Sequence, residues 1–498
     1  MGDGTYSGDA AQPQSFSRIF SFSSAGIAAG AILLAALVLR ILGARGELWL
    51  DELWSLMLIN EARERHDFFW VLATDNNHYL NTLYLYLVGA DAPVILQRAL
   101  SIALGAATVL VAGLAMRRTG LAGILGAMVL FGIGYPLVNY GSEARGYAGL
   151  ILAVQAAILL TERVAIAPPS EPKRKLAFWL GVVCTAGALF QPIMLSAVLG
   201  LMAWTAWINR PAGAITLRGG FAAVLIAARR FSWTVRLLLP FAAVIAFGVI
   251  HAGGYRIQGS VPFTAEGFVV GYGGLLHLLL GLPEATPPWV ALIIAAVALA
   301  LAFRLTRARD DRRLSLYFIF LLGIPLAMFV AQLPNIHFPR YYLASGIVFL
   351  LLLADLFAWA WQRGGAPRAF GVLISIAILI GNGAEDARLL RDGRDQSATA
   401  IRMIGEAGPV LVSSDQDVRN RPVVAFFAAR MKLPVTYVPL AELCDQPVTW
   451  LLSSSPESEM TDAFDTSVIG CKKVFIKSAA FAQWGLSGLP WIVYRVQP

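Results

Sequence analysis

Residues 24–66 read SAGIAAGAILLAALVLRILGARGELWLDELWSLMLINEARERH, an unbroken apolar run followed by a segment that opens on two adjacent acids, Asp51 and Glu52. A run of this length crosses a bilayer as a helix, since about 20 apolar residues span the hydrocarbon. The acids stand where that helix leaves it. A charge at such a point is either a solvated helix end or the start of a reaction centre.

Working outward, the chain repeats the first half of this pattern. It is 57% hydrophobic and 14% charged over 498 residues, where soluble domains carry about 25% charge. Apolar runs fall near 24–42, 98–116, 121–138, 146–164, 177–190, 193–209, 237–252, 288–304, 314–331, 341–361 and 369–384. The expected fold is a polytopic α-helical membrane protein of about eleven spans. The stretches 79–90 and 266–282 are short or glycine-rich and read as interfacial or re-entrant helices. The net charge of +8 does not indicate nucleic acid, because the basic residues lie in short loops: 117–120, 168–175, Arg210 to Arg236, 304–313 and 362–368. Eleven spans place all of these on one face, the cytoplasmic one. Loops 43–97, 139–146, 253–287 and 332–340, and everything past 385, then face outward. Residues 1–23 form a polar cytoplasmic segment, and the first span is expected to stay as an anchor.

From residue 385 to 498 the composition becomes more charged and nearly neutral. GPVLVSSD, PVTYVPL, PVTWLLSSS and LPWIVYRV have strand character, with RPVVAFFAARM as a helix between two of them. This tail is expected to be a small α/β extracytoplasmic domain, following a transmembrane unit over 24–384. VLVSSDQDV lacks a glycine fingerprint, which favours scaffold over nucleotide site. Cys184 falls in a span. Cys444 and Cys471 lie in the tail and could pair in an oxidising compartment; the three cysteines have no zinc-like spacing.

The outward loops hold the polar residues that need explaining: Asp51 and Glu52; residues 74–87 with His78 and Tyr84; residues 139–149 with Glu143, Arg145 and Tyr147; His251, Tyr255 and Arg256; and residues 335–342 with Arg340 and Tyr341. His66, His78, His251 and His337 fall on this face or at its edge. A transporter would instead bury ionisable groups at mid-span, and here Asp355 is the exception among nearly uncharged spans. Each residue also has a plain structural reading. Asp51 can cap a helix over 52–65. Glu143 and Arg145 can be a loop pair, His78 an interfacial-belt residue, and Arg340 a snorkelling anchor. Adjacent helical residues point about 100° apart, so at most one of Asp51 and Glu52 acts as base; the other orients a partner or a metal.

Taken in order, LWLDELWSLML, DNNHYLNTLYLYLVG, LQRALSIALGAATVLVAGLAMRRTG, YGSEARGYAGLILAV and FPRYYLASGIVFLLLLAD resemble GT-C membrane glycosyltransferases. The likeness is greatest to the protein O-mannosyltransferase and aminoarabinose-transferase group. It covers about residues 24–385 and is dense in the first 160. The family's Asp-Glu pair matches Asp51 and Glu52. A His-Pro-Pro-Leu-Tyr-like segment matches His78, Tyr79, Leu80 and Tyr84, and an Arg-led second span matches Arg98. A Glu-Ala-Arg-x-Tyr loop matches Glu143, Arg145 and Tyr147, and a late Arg-Tyr matches Arg340 and Tyr341. The departure is HYLNT at 78–82, which replaces the prolines and leaves the acceptor and His78 as a metal ligand open.

The resemblance implies a polyprenyl-phosphate sugar donor, with an envelope lipid, glycan or protein as acceptor, at the outer face of a plasma (inner) membrane. A phosphate leaving group needs no nucleotide fold. It needs a carboxylate to deprotonate the acceptor hydroxyl and cations, or a divalent metal, to hold phosphate charge. Asp51 and Glu52 are the expected catalytic pair. His78, Tyr84, Glu143, Arg145, Tyr147, Arg340 and Tyr341 are the expected substrate contacts. The alternatives are a non-enzymatic lipid or polysaccharide transporter and an assembly factor.

Overall fold

In a computed structural model the chain is described over residues 24–74, 78–165, 173–210, 217–255, 261–306, 312–406, 408–454, 463–465, 473–481, 486–487 and 491–497. Every expected span is a helix. In order these are Ser24–Gly43, Val94–Ala115, Gly120–Ile133 continued by Tyr135–Tyr140, Tyr147–Ala165, Arg174–Phe190, Met194–Ile208, Ser232–His251, Pro288–Thr306, Arg312–Val330, Leu343–Arg363 and Gly365–Asp392. Eight helices among the described residues are long and apolar enough to cross a membrane; Gly120–Ile133, Arg174–Phe190 and Met194–Ile208 are shorter. Their outer faces carry exposed Ile, Leu, Val and Phe, the surface a bilayer would cover.

The structure adds to this reading and amends it. The Arg210 to Arg236 segment was expected as a basic loop, yet it contains a helix, Leu217–Arg230. Its apolar FAAVLIAA core between arginines is long enough to repay helix formation once it packs on Met194–Ile208. Residues 266–282 form one helix, Ala265–Leu280, with a π-turn at Val269–Gly273. The spans also hold more charge than Asp355 alone. Arg40 lies in the first and Glu162 near the end of Tyr147–Ala165, both buried. Each has internal partners: Arg40 donates to the Ala36, Phe131 and Gly132 carbonyls at 3.0 Å, and Glu162 accepts from Arg313. Their pairing near helix ends, rather than their rarity, is what distinguishes them from a mid-span transport relay.

The last long helix runs on to Asp392, past the residue 384 at which its apolar stretch ends. Gly393 then stops it at φ +73°, a left-handed turn that costs an L side chain energy. Beyond lies a six-stranded sheet in the order β2-β1-β3-β6-β5-β4. The strands are β1 (Val410–Ser414), β2 (Val435–Tyr437), β3 (Trp450–Ser453), β4 (Ala463–Asp465), β5 (Val474–Phe481) and β6 (Trp491–Val496). The first three pair in parallel and the rest antiparallel. Strands β4 and β5 were not anticipated. The expected helix is Asp417–Met431. Cys444 is disulfide-bonded, while Cys471 lies outside the described residues.

The sheet does not stand apart. One hydrophobic cluster joins Trp49, and Leu53 and Leu56 of the Leu50–Glu64 helix that follows it, to Ile401 and Ile404 of the Ser397–Gly405 helix and to Val412, Val424, Trp450 and Trp491 of the tail. The segment bearing Asp51 is therefore packed between the helical body and the sheet.

Candidate functional site

Asp51 and Glu52 open the Leu50–Glu64 helix, whose N-cap is Trp49. The capping reading of Asp51 therefore does not hold. Glu52 takes the N-terminal role instead, accepting from the Trp49 amide at 3.2 Å, because position N3 lets a carboxylate reach back.

The two acids point to different partners, as helical geometry requires. Glu52 is fully buried and accepts from Arg98 Nε at 2.8 Å, Arg98 Nη2 at 2.6 Å and the Ala144 amide at 2.6 Å. Burial pushes its carboxyl up, but Arg98, Arg394 and the amide outweigh that and hold it below the usual range. Arg98 also donates to the Ala44 and Glu47 carbonyls. Glu52 thus ties together the first loop, the second span and the 141–146 loop. With both oxygens committed, it has no lone pair placed for a base's work.

Asp51 faces other partners. Its Oδ2 lies 2.7 Å from Arg145 Nη1 and 3.9 Å from Arg340 Nη1, with 12% of the side chain exposed. The arginines come from separate elements, the 141–146 loop and the Pro339–Tyr342 turn. Arg145 is sandwiched between aromatic faces, 5.3 Å from the Trp49 ring and 4.8 Å from Tyr147, and Arg340 lies 4.1 Å over Phe338. Such packing fixes a guanidinium without using its N–H groups.

His78 completes this side. Its ring is edge-on to Tyr147 at 5.2 Å, and Nδ1 lies 3.1 Å from the Phe190 carbonyl. A carbonyl only accepts, so Nδ1 carries the proton. Burial first, then the charges of Arg145 and Arg340, push its pKa well below the ordinary histidine value. The ring is neutral, and Nε2 has no hydrogen-bond partner among the described residues. Gly146 makes this approach possible: a Cβ there would lie 2.0 Å from the Phe190 carbonyl oxygen and 3.0 Å from His78 Nδ1.

Glu143 is buried behind the site. Burial pushes its carboxyl up, as do Glu52 and Asp51, against the pull of Arg145 and Arg394. Ser487 donates to it at 3.1 Å, and Arg394 Nη1 lies 3.8 Å away. Of the remaining expected contacts, Tyr147 joins the cluster, and Tyr341 lies beside it, stacked on Phe338 at 6.5 Å. Tyr84 does not join; it donates to the Leu96 carbonyl at 2.5 Å, beside the start of the second span. His251 pairs with Asp67 at 2.8 Å and forms a separate contact. Arg256 lies outside the described residues.

A divalent metal does not fit this donor set. Among the described residues no three of His, Cys, Asp and Glu converge, Glu52 is committed, and a dication at Asp51 would meet two guanidiniums within 4 Å. Around Asp51 itself two guanidiniums, Arg145 and Arg340, share one carboxylate. An arrangement with one cation in excess, arrayed around a carboxylate that is replaceable as a partner, suits an incoming phosphate.

Sequence reasoning missed Arg394. It lies in RDGRDQ (391–396), a charge run that reads as a solvated surface, yet it is 2% exposed. The signal present was Gly393, which marks a forced turn directly before it.

No protein-family model matches the chain, and no curated protein matches it. Solved structures are similar. ArnT from Cupriavidus metallidurans in the apo state is 13% identical with a TM-score of 0.48, covering 95% of this chain and 98% of that one. ArnT bound to undecaprenyl phosphate gives 14%, 0.45, 94% and 97%. The Archaeoglobus fulgidus oligosaccharyltransferase, tethered with an acceptor peptide, gives 12%, 0.45, 88% and 70%. Both proteins are GT-C glycosyltransferases, the group named above from the motifs. At this distance the likeness transfers no residue role and no substrate to the chain.

Proposed function

We propose that this chain is an integral membrane glycosyltransferase moving a sugar from a polyprenyl-phosphate donor to an acceptor hydroxyl. The observation that carries the reading is Asp51 held between Arg145 and Arg340. With no donor bound, the two guanidiniums share this one carboxylate. A donor phosphate takes them over and leaves the Asp51 carboxylate open to the acceptor hydroxyl. The acceptor hydroxyl then gives its proton to Asp51 as its oxygen bonds to the anomeric carbon. The bond from that carbon to the phosphate oxygen breaks, and its electron pair leaves on polyprenyl phosphate, whose charge Arg145 and Arg340 hold. His78 Nε2 accepts a hydrogen bond from a sugar or acceptor hydroxyl. Glu52 is a positioning residue, holding the helix that aims Asp51.

The reaction centre is assigned to the outward face of a bacterial-type plasma membrane, with residues 24–384 as the transmembrane unit and the tail on the same side. Two observations support this. The disulfide at Cys444 suits an oxidising compartment. At the ends of helices away from Asp51, arginines lie over tryptophans, Arg210 on Trp207, Arg236 on Trp233 and Arg368 on Trp361, as in a positive-inside interfacial belt.

The test is incubation of the purified protein in nanodiscs with a labelled polyprenyl-phosphate sugar and a membrane-extract acceptor. Release of free lipid phosphate with label transferred to the acceptor is expected. Donor bound but recovered intact would instead favour a transporter.

A further inference from the structure

The 141–146 loop, which presents Arg145, has no regular secondary structure of its own. Its geometry is imposed from outside. Asn81 Nδ2 donates to the Ala144 carbonyl at 2.8 Å, and Ser101 donates to the Arg145 carbonyl at 3.1 Å. Glu52 accepts from the Ala144 amide at 2.6 Å, and further restraints come from the tail. Arg394 Nη2 donates to Ser142 Oγ at 2.5 Å and to the Asn139 carbonyl at 2.8 Å, and its Nη1 donates to Asn139 Oδ1 at 2.7 Å. Ser487 Oγ accepts from Asn139 Nδ2 at 2.9 Å and donates to Glu143. The same tail turn grips the other catalytic segment: Glu47, four residues before Asp51, accepts from the Ala398 amide at 2.7 Å and from Thr399 Oγ1 at 3.0 Å.

We infer that Arg394, with Ser487 beside it, is a positioning residue for the donor-phosphate grip: the tail domain clamps the 139–145 loop and thereby sets Arg145 relative to Asp51. The inference rests on the reading of Arg145 as a phosphate ligand. Three features give it force. A guanidinium taken wholly out of water needs hydrogen-bond partners, and Arg394 spends both terminal nitrogens on a loop more than 240 residues away in sequence. Burial and neighbouring Arg98 both push its pKa down, so the site tolerates an unfavourable charge to keep this contact. The fork is also one that lysine cannot reproduce, since it contacts a carbonyl, an amide oxygen and a hydroxyl at once. Arg394 touches no reacting atom; it acts through Ser142 and Glu143 on Arg145.

The experiment is titration of undecaprenyl phosphate against full-length protein in nanodiscs, with folding checked by size exclusion and thermal melting. Arg394→Ala and Arg394→Lys are expected to weaken affinity between about threefold and thirtyfold, the usual reach of a residue acting through its neighbours. Ser487→Ala should weaken it less and decides the matter if the arginine variants do not fold. Asn420→Ala, which loosens the tail's own contacts to Ser414 and Ser454, should leave affinity unchanged. A folded Arg394→Ala protein with wild-type affinity would overturn the clamp, as would an equal loss from Asn420→Ala. Wild-type protein that binds no undecaprenyl phosphate would overturn the functional reading itself.

Discussion

The helical body carries a buried ionic cluster near each end, and the two are built on opposite terms. Away from the site, Arg313 from Arg312–Val330 lies 3.0 Å from Glu162 and 3.6 Å from Asp355, the Tyr317 hydroxyl donates to Asp355, and Arg313 also bonds the Ala115 carbonyl. One cation serves two acids and cross-links four helices. At the other end, about 22 Å of rise along Tyr147–Ala165 from Glu162, two arginines, Arg145 and Arg340, share one acid, Asp51. In the first cluster one guanidinium is divided between two carboxylates. The second has a cation to spare and a neutral imidazole with an unused lone pair beside it. Buried charge alone does not mark a site. Its balance does.

Asp51→Asn should reduce turnover about 10²–10⁴-fold, since the change is nearly isosteric and removes the base; release of lipid phosphate from labelled donor measures it. Asp355→Asn should leave that rate near wild type.

Glu52→Gln should act on stability first. Breaking a buried pair leaves Arg98 uncompensated and costs about 3–5 kcal/mol, seen as a lower melting temperature. The folded-state pKa of Glu52 is depressed, so its contribution is present above the unfolded glutamate value and is lost as pH falls through the depressed one. The wild type should therefore lose stability on the acid side more steeply than Glu52→Gln.

Arg145→Ala and Arg340→Ala should each weaken product binding by about 1.5–3 kcal/mol, with lysine variants between alanine and wild type. Arg313→Met should lower the melting temperature and leave product affinity unchanged, the smallest functional effect of the series. Loss of product affinity in Arg313→Met would dissolve the distinction between the two ends.

The spans were legible because a 3.6-residue apolar pattern of membrane length has few other solutions. Asp51, Arg145, Tyr147, His78 and Arg340 were legible because chain order placed them all in outward loops, and the fold gathers them. Which of the adjacent acids would orient a partner was not legible, and the fold gives that place to Glu52 on Arg98: adjacency in sequence says nothing about which acid a distant arginine will claim. Tyr84 was drawn in by its motif, yet ten residues of helix turn its hydroxyl toward Leu96. Arg394 and Ser487 could not be read, because their meaning lies in contacts with residues 139–143 that only tertiary packing creates. The paired strands β4 and β5 failed for a related reason, β5 being largely exposed along its length and so without a clean alternation.

The central claim is that Asp51 occupies, in the absence of donor, the place a phosphate takes between Arg145 and Arg340. The direct measurement is the affinity of undecaprenyl phosphate for wild type, Asp51→Asn and Asp355→Asn in nanodiscs. Removing the resident carboxylate frees both guanidiniums, so Asp51→Asn should bind the lipid phosphate at least as tightly as wild type, and more tightly at low salt, while Asp355→Asn is unchanged. Weaker binding by Asp51→Asn would contradict the account, for it would mean that the carboxylate holds the arginines in place and does not stand in for the phosphate.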